Sequence, residues 1–263
     1  MTKRYSNTGK LNEHPFVKDI LRDAMKVSMA LQVKGTVFKV DAKYKRDPTS
    51  AEFYCIGTGS SIAHLMGICQ QMEHSVLYFS SFTPTKKMKE AGITRHSHLL
   101  YCIENYIIRT QSMYDRVLRL VDKVFYLYNP THLISHELII SNSHILNSDI
   151  PSKLKAIRKC IKDYYRDRNE IMHERQYLES DLRRLEGYTI LLDKEPFKND
   201  KYFMMDVKDM TREIIKGKTN TFTSVNKNVL NAIADLFDAL FKKYQSQLKI
   251  LEAIYGKMEM VTQ

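Results

Sequence analysis

The chain has 263 residues, 43% apolar and 27% charged, which fits a globular protein with ample material for a core. An excess of 41 Lys+Arg over 30 Asp+Glu gives a formal charge of +11, so polyanions such as RNA or DNA are natural partners. No stretch of about 18 apolar residues occurs and no apolar segment follows the basic start Met1-Thr2-Lys3-Arg4, so neither a membrane span nor a secretory leader is expected.

Nine Gly, six Pro and no Trp leave long stretches without a helix breaker, which predicts an all-α chain in one domain, residues 1–263. In chain order, Phe16, Ile20, Leu21, Ala24, Val27 and Leu31 form one face of a first helix. The pattern breaks over 34–59, the first irregular insertion. Val37-Phe38-Lys39-Val40 and Phe53-Tyr54-Cys55-Ile56 read there as short strands or a packed loop. Gly57-Thr58-Gly59-Ser60-Ser61 then turns the chain. Its G-x-G lacks a third glycine or a Lys-Ser/Thr pair, so a loop and helix N-cap explains it better than a nucleotide cradle.

Ile62, Leu65, Met66, Cys69, Val76 and Phe79 predict a second helix ending near Thr83-Pro84. A longer one follows from about Thr94 to Tyr128, stopped by Asn129-Pro130. His132 and His136 are expected on the next short helix at i,i+4, a metal-site spacing, but the order is not H-E-x-x-H and no third ligand stands nearby. The same applies to His96 and His98, so no catalytic metal and no cofactor are expected. Cys55, Cys69, Cys102 and Cys160 lack paired spacing, which fits a reducing cytoplasm rather than a disulfide framework. Of these, Cys69, Cys102 and Cys160 fall in apolar-periodic stretches and read as small buried hydrophobes.

A helix from about Pro151 to Tyr165 precedes the most informative segment, Arg168-Asn169-Glu170-Ile171-Met172-His173. On a helix, Asn169 and His173 lie about 40° apart, one turn above each other, and Arg168 about 140° from His173. Were Arg168 in the first turn, its long side chain and the free backbone N–H groups would together favour an anion. A titratable imidazole beside a permanent guanidinium suits proton transfer next to a developing phosphorane charge. Lys153, Lys155, Arg158, Lys159, Lys162 and Arg166 add a basic run just before it, opposed by Asp163 and Asp167. The bland reading is a solvated amphipathic helix with i,i+4 pairs such as Glu170 with Glu174 and Arg175 nearby.

After the motif, Leu178 to Leu185 continues an apolar pattern. Residues 187–224 are expected to be irregular, with Gly187-Tyr188-Thr189-Ile190-Leu191-Leu192 leaving the helix. Val229, Ile233, Leu236, Leu240, Tyr244, Leu248, Leu251 and Tyr255 predict a long final helix.

Arg168, Asn169 and His173 together resemble the signature of the HEPN superfamily. That resemblance implies an antiparallel helical bundle and a metal-independent endoribonuclease of the toxin–antitoxin or phage-defence kind. In such an enzyme a homodimer completes the site, and cleavage leaves a 2′,3′-cyclic phosphate. It assigns His173 as general base or acid, Arg168 to the phosphate and Asn169 to orientation. Lys155, Lys159, Lys162, Arg166 and Arg175 are the expected RNA contacts. The family often sets an acidic or polar residue on an earlier helix; among Glu104, Arg109, Asp115 and Arg116, Glu104 is preferred. Partners would be RNA, a second copy and an antitoxin or other regulatory protein. Arg175 stands where toxins paired with nucleotidyltransferase antitoxins carry tyrosine, so their regulation is not carried over. The rival reading is a catalytically silent helical module that binds RNA or protein. A basic helical DNA-binding protein is weaker, because no helix-turn-helix stands out.

Overall fold

Side chains rather than loops fix where the helices of this protein start and stop. The computed structural model describes residues 7–33, 44–173, 179–192, 194–258 and 260, without the side chains of Asn7, Glu170, Met172 and His173. The described residues form α1 (Asn7–Asn12), α2 (Pro15–Leu31), α3 (Ser50–Ser80), α4 (Lys86–Glu90), α5 (Arg95–Val124), α6 (His136–Ser141), α7 (Ser143–Leu146), α8 (Ile150–Ile161), α9 (Asp163–His173), α10 (Ser180–Leu191) and α11 (Lys201–Tyr255). Among them there is no strand, only an isolated bridge between Gln32 and Tyr44. The chain is all-α, as expected. The expected strand around Val37-Phe38-Lys39-Val40 lies outside the described residues.

The chain forms two compact units, one of residues 1–70, 112–160 and 229–263, the other of 71–111 and 161–228. In the first unit, Phe16 of α2 is fully buried and packs on Phe237, Phe241 and Tyr244 of α11 with ring centroids 5.2, 6.0 and 6.3 Å away. Tyr54 of α3 stacks on Tyr244 at 5.5 Å and donates its hydroxyl to the Val124 carbonyl at 2.9 Å. That bond satisfies one of the open carbonyls at the end of α5. His14 caps α2 by accepting from the Phe16 N–H through Nδ1, which leaves Nε2–H to donate to Asp238 of α11 at 3.2 Å.

The segment 53–61 is helical, against the expected strand and turn. Thr49 and Glu52 form a reciprocal capping box: Thr49 Oγ1 accepts from the Glu52 N–H at 3.3 Å, and Glu52 Oε2 from the Thr49 N–H at 2.9 Å. Glu52 is fully buried, and Arg46 neutralises it with a two-pronged bond of 2.8 and 2.9 Å. The helix therefore begins eleven residues before Ser61. Gly59 serves helix packing instead of a turn. A Cβ built on it would stand 2.3 Å from the Cβ of Ala24, so the missing side chain lets α3 approach α2.

Three other boundaries differ from expectation. α5 stops at Val124, because the Asp122 carboxylate takes both the backbone N–H and the side-chain amide of Asn129, at 3.3 and 2.7 Å, and the chain reverses through Tyr126 and Tyr128 at positive φ. Residues 187–191 stay in α10, where Thr189 bonds back to the Leu185 carbonyl at 2.7 Å. α11 begins at Lys201 and takes in all of 201–224, capped by Asp200, whose carboxylate accepts from the N–H groups of Tyr202 and Phe203.

Gly59→Ala is expected to destabilise the fold. Overpacking costs about 1–3 kcal/mol and outweighs the roughly 1 kcal/mol of helix propensity an alanine adds. Gly57→Ala and Gly67→Ala, with open space around the new methyl, should gain stability, and Ala24→Gly should rescue Gly59→Ala; urea unfolding of the four variants checks this.

Asp122 offers a pH test. Burial raises its pKa above 3.8, against the opposing bonds from Asn129. The folded state thus holds the proton more tightly than the unfolded chain, and its contribution to stability falls as pH rises from the ordinary carboxylate value through the folded one. Asp122→Asn should flatten that limb of the stability–pH curve, measured by thermal melts.

Candidate functional site

The helix that carries the motif, α9, is seated by aromatic rings in the second unit. Tyr106 of α5 is fully buried and lies flat on Phe222 of α11, with centroids 3.9 Å apart and planes 13° from parallel. Tyr164, in the first turn of α9, meets both rings edge-on at 6.0 and 6.2 Å. Burial pushes the Tyr164 phenol up to about 12 and raises that of Tyr106 as well, so both stay neutral donors. The Tyr106 hydroxyl donates to Asn226 Oδ1 at 2.9 Å, and the Asn226 amide donates to the Met72 carbonyl of α3 at 3.4 Å. One buried phenol thereby ties α3, α5, α9 and α11 together.

The predicted single helix from Pro151 to Tyr165 is two helices. α8 ends at Ile161, whose carbonyl takes a bond of 3.4 Å from the Gln111 amide, and α9 starts at Asp163. Arg168 is consequently the sixth residue of α9, beyond the first turn and its free N–H groups, so the helix N-terminus does not serve an anion beside it.

Helical register then sorts the motif by face. Counting from Tyr164 at about 100° per residue, Asp167, Arg168 and Ile171 stay within about 60° of it, and all three are half-buried. Asn169, also half-buried, and position 173 lie about 140° and 180° away, toward the side of the exposed Arg166. Arg168 crosses between the two faces: its guanidinium Nη1 donates to Asn169 Oδ1 at 3.1 Å. The side chain thus leans from the packed face toward the one that position 173 shares. The His173 backbone closes α9, while its side chain, along with Arg175 and Tyr177, lies outside the described residues.

Glu104 is half-buried on α5 in the same unit as the motif. Gln111 meets Ile161 and Tyr106 meets Tyr164, so the chain past Ile161 advances against the direction of α5. Arg109 is engaged by the side-chain carbonyl of Gln71. Asp115 and Arg116 belong to the first unit, as do the exposed Lys155 and Lys159, whereas the exposed Lys162 and Arg166 belong to the second.

The histidines separate into structural settings. His132 lies in a 3₁₀ turn and His136 opens α6, so the expected i,i+4 pair on one helix does not form. His136 is buried against the Tyr114 hydroxyl at 2.5 Å, and burial lowers its pKa. His98 lies over Phe82 and beside Cys102. Cys55, Cys69 and Cys102 are buried free thiols and Cys160 is half-buried; burial pushes Cys55 up to about 11.

Sequence reasoning missed Tyr164, Phe222 and Asn226 as the support of the motif. The available signal was the spacing of Tyr164 four residues before Arg168, which puts an aromatic anchor one turn below the guanidinium. Asn226→Ala removes the nearer of two acceptors of a buried hydroxyl, which also reaches the Phe222 carbonyl at 3.3 Å, and should cost about 1 kcal/mol by chemical denaturation. Tyr106→Phe in the same background should recover part of that loss.

No curated protein and no solved structure matches the chain. No helix among the described residues is long and apolar enough to cross a membrane. The family model described as Cthe2314-like HEPN matches residues 57–226, a span that contains the motif helix, its aromatic seat and more than half of the sequence. With its helical architecture and Arg168-Asn169 pair on α9, the chain belongs to the HEPN superfamily.

Proposed function

We propose that the protein is a metal-independent endoribonuclease of the HEPN type. The bond from Arg168 to Asn169, on the helix whose position 173 is histidine one turn further on, is the observation that carries this reading. It gathers a fixed positive charge and an amide on the motif's side of α9. Neutral His173 takes the proton from a ribose 2′-OH, and the oxygen attacks the adjacent phosphorus. The P–O5′ bond breaks, the 5′ oxygen collects a proton from a protonated histidine, and a 2′,3′-cyclic phosphate remains. Arg168 stabilises charge on the non-bridging oxygens, and Asn169 holds its guanidinium in place. Glu104 orients the arginine from α5.

A second copy of the chain supplies the facing motif, so that one histidine acts as base and the other as acid. Lys155, Lys159, Lys162, Arg166 and Arg175 hold the RNA backbone, a contact that weakens with salt. A cytoplasmic enzyme of stress or phage defence, held in check by an antitoxin or another regulatory protein, fits this chemistry and the formal charge of +11.

Purified protein should cut mixed RNA in EDTA and leave cyclic phosphate ends. His173→Ala should lower the rate by about 10²–10⁴-fold, the range for loss of a proton-transfer group, and Arg168→Ala by about 10²–10³-fold, the range for loss of a group that stabilises transition-state charge. A folded wild-type dimer that binds RNA and leaves it intact would replace the enzyme with the silent binding module.

A further inference from the structure

Away from the motif, α10 and the first turns of α11 enclose a second feature with a chemistry of its own. A cavity of about 420 Å³ opens between them and the start of α5, all within the second unit. Its floor is aliphatic, formed by Leu185, Leu192, Met204, Val207 and Ile215. Thr189 and Thr211 add neutral hydroxyls, and the charged groups that reach it are of one sign: Arg95, Lys208 and Arg212 line it, with His96, and no carboxylate does among the described residues.

These cations are not equally committed. Arg95 is used structurally, donating to the carbonyls of Phe79 and Ser80 at 3.2 and 3.4 Å, and Arg212 is held by Asp209 at 2.6 Å. Lys208 is exposed at the rim. His96 is 92% buried, and no hydrogen bond or ion pair to it is found among the described residues, although a buried imidazole ordinarily finds one. It faces the cavity from the first turn of α5, where the helix itself favours negative charge. A largely buried imidazole that lines a cavity and has no partner for its ring among the described residues marks a place for a ligand atom.

We infer that this cavity binds an amphiphilic anion, an unbranched aliphatic chain ending in a carboxylate or phosphate, independently of any ribonuclease activity. The chain lies on the aliphatic floor; the head group meets His96 and Lys208. The volume is at the lower end of the roughly 300–1,000 Å³ of ligand pockets, which suits a medium-length chain.

Calorimetric titration of the full chain with decanoate and with decyl phosphate, both below their micelle-forming concentrations, tests this, with 1-decanol and acetate as controls. Saturable one-to-one binding is expected for the anionic amphiphiles alone, and the tighter of the two identifies the head group. Lys208→Glu, a surface change, should weaken binding about tenfold, the loss of one charge-assisted contact. Ile215→Trp should abolish it by filling the floor while the circular dichroism spectrum stays helical. Binding to phosphatidylserine vesicles that decanoate displaces would assign the natural source to a lipid; silence toward vesicles would assign it to a free acid. Heat of equal size from decanol, binding unchanged in both variants, or none to the folded wild type would overturn the inference.

Discussion

A phenol hydroxyl removed from water must find an acceptor, and much of the second unit is arranged around the one that Tyr106 finds in Asn226. Two aromatic rings in flat contact can slide past each other at little cost; the hydroxyl restrains them, because it also bonds to the Asn226 side chain and the Phe222 carbonyl. Asn226 in turn spends its amide on Met72, so α11 cannot shift along α3 without stranding a buried donor. Tyr164 then has two ring edges to meet, and with it the azimuth of α9 is set. Arg168 is half-buried for this reason, and its charged end turns to Asn169.

The first unit applies the same logic with different groups. Tyr54, Tyr244 and Phe16 interlock as rings, and the Tyr54 hydroxyl ends on the last carbonyl of α5. Burying Glu52 would be costly as an isolated charge, but Arg46 and the Thr49 N–H satisfy both carboxylate oxygens, so the start of α3 is defined by a closed network. Asp122 is the counterexample. Its Oδ1 is satisfied by Asn129 while Oδ2 is buried without a partner among the described residues, and the ionised form is correspondingly disfavoured.

Charge is distributed with similar economy. The exposed lysines of α8 and the exposed Lys162 leave cationic groups in solvent, where they attract polyanions without specifying them. Arg158, by contrast, is paired with Glu137 at 3.1 Å, and Arg95 and Arg109 hold protein carbonyl oxygens. The sign of a run in the sequence thus overstates the charge available to a ligand.

The all-α class was legible because breakers are scarce and the apolar periods of α2, α5 and the end of α11 are strong. Two start signals were present and went unused. Thr49-x-x-Glu52 is a capping box and Asp200 an N-cap, and together they account for most of the two segments expected to be irregular. Glycine misled in the opposite sense: Gly57 and Gly59 look like a turn, yet Gly59 is required by the approach of Ala24, a residue 35 positions away that no local pattern announces. By itself the sequence determined the helical class, the family motif and the relative angles of Arg168, Asn169 and His173, since those follow from 3.6 residues per turn. Only the tertiary structure decided where α9 begins and which of its faces is buried. Periodicity fixes azimuths within one helix, whereas the choice of face depends on Tyr164 meeting rings from two other helices.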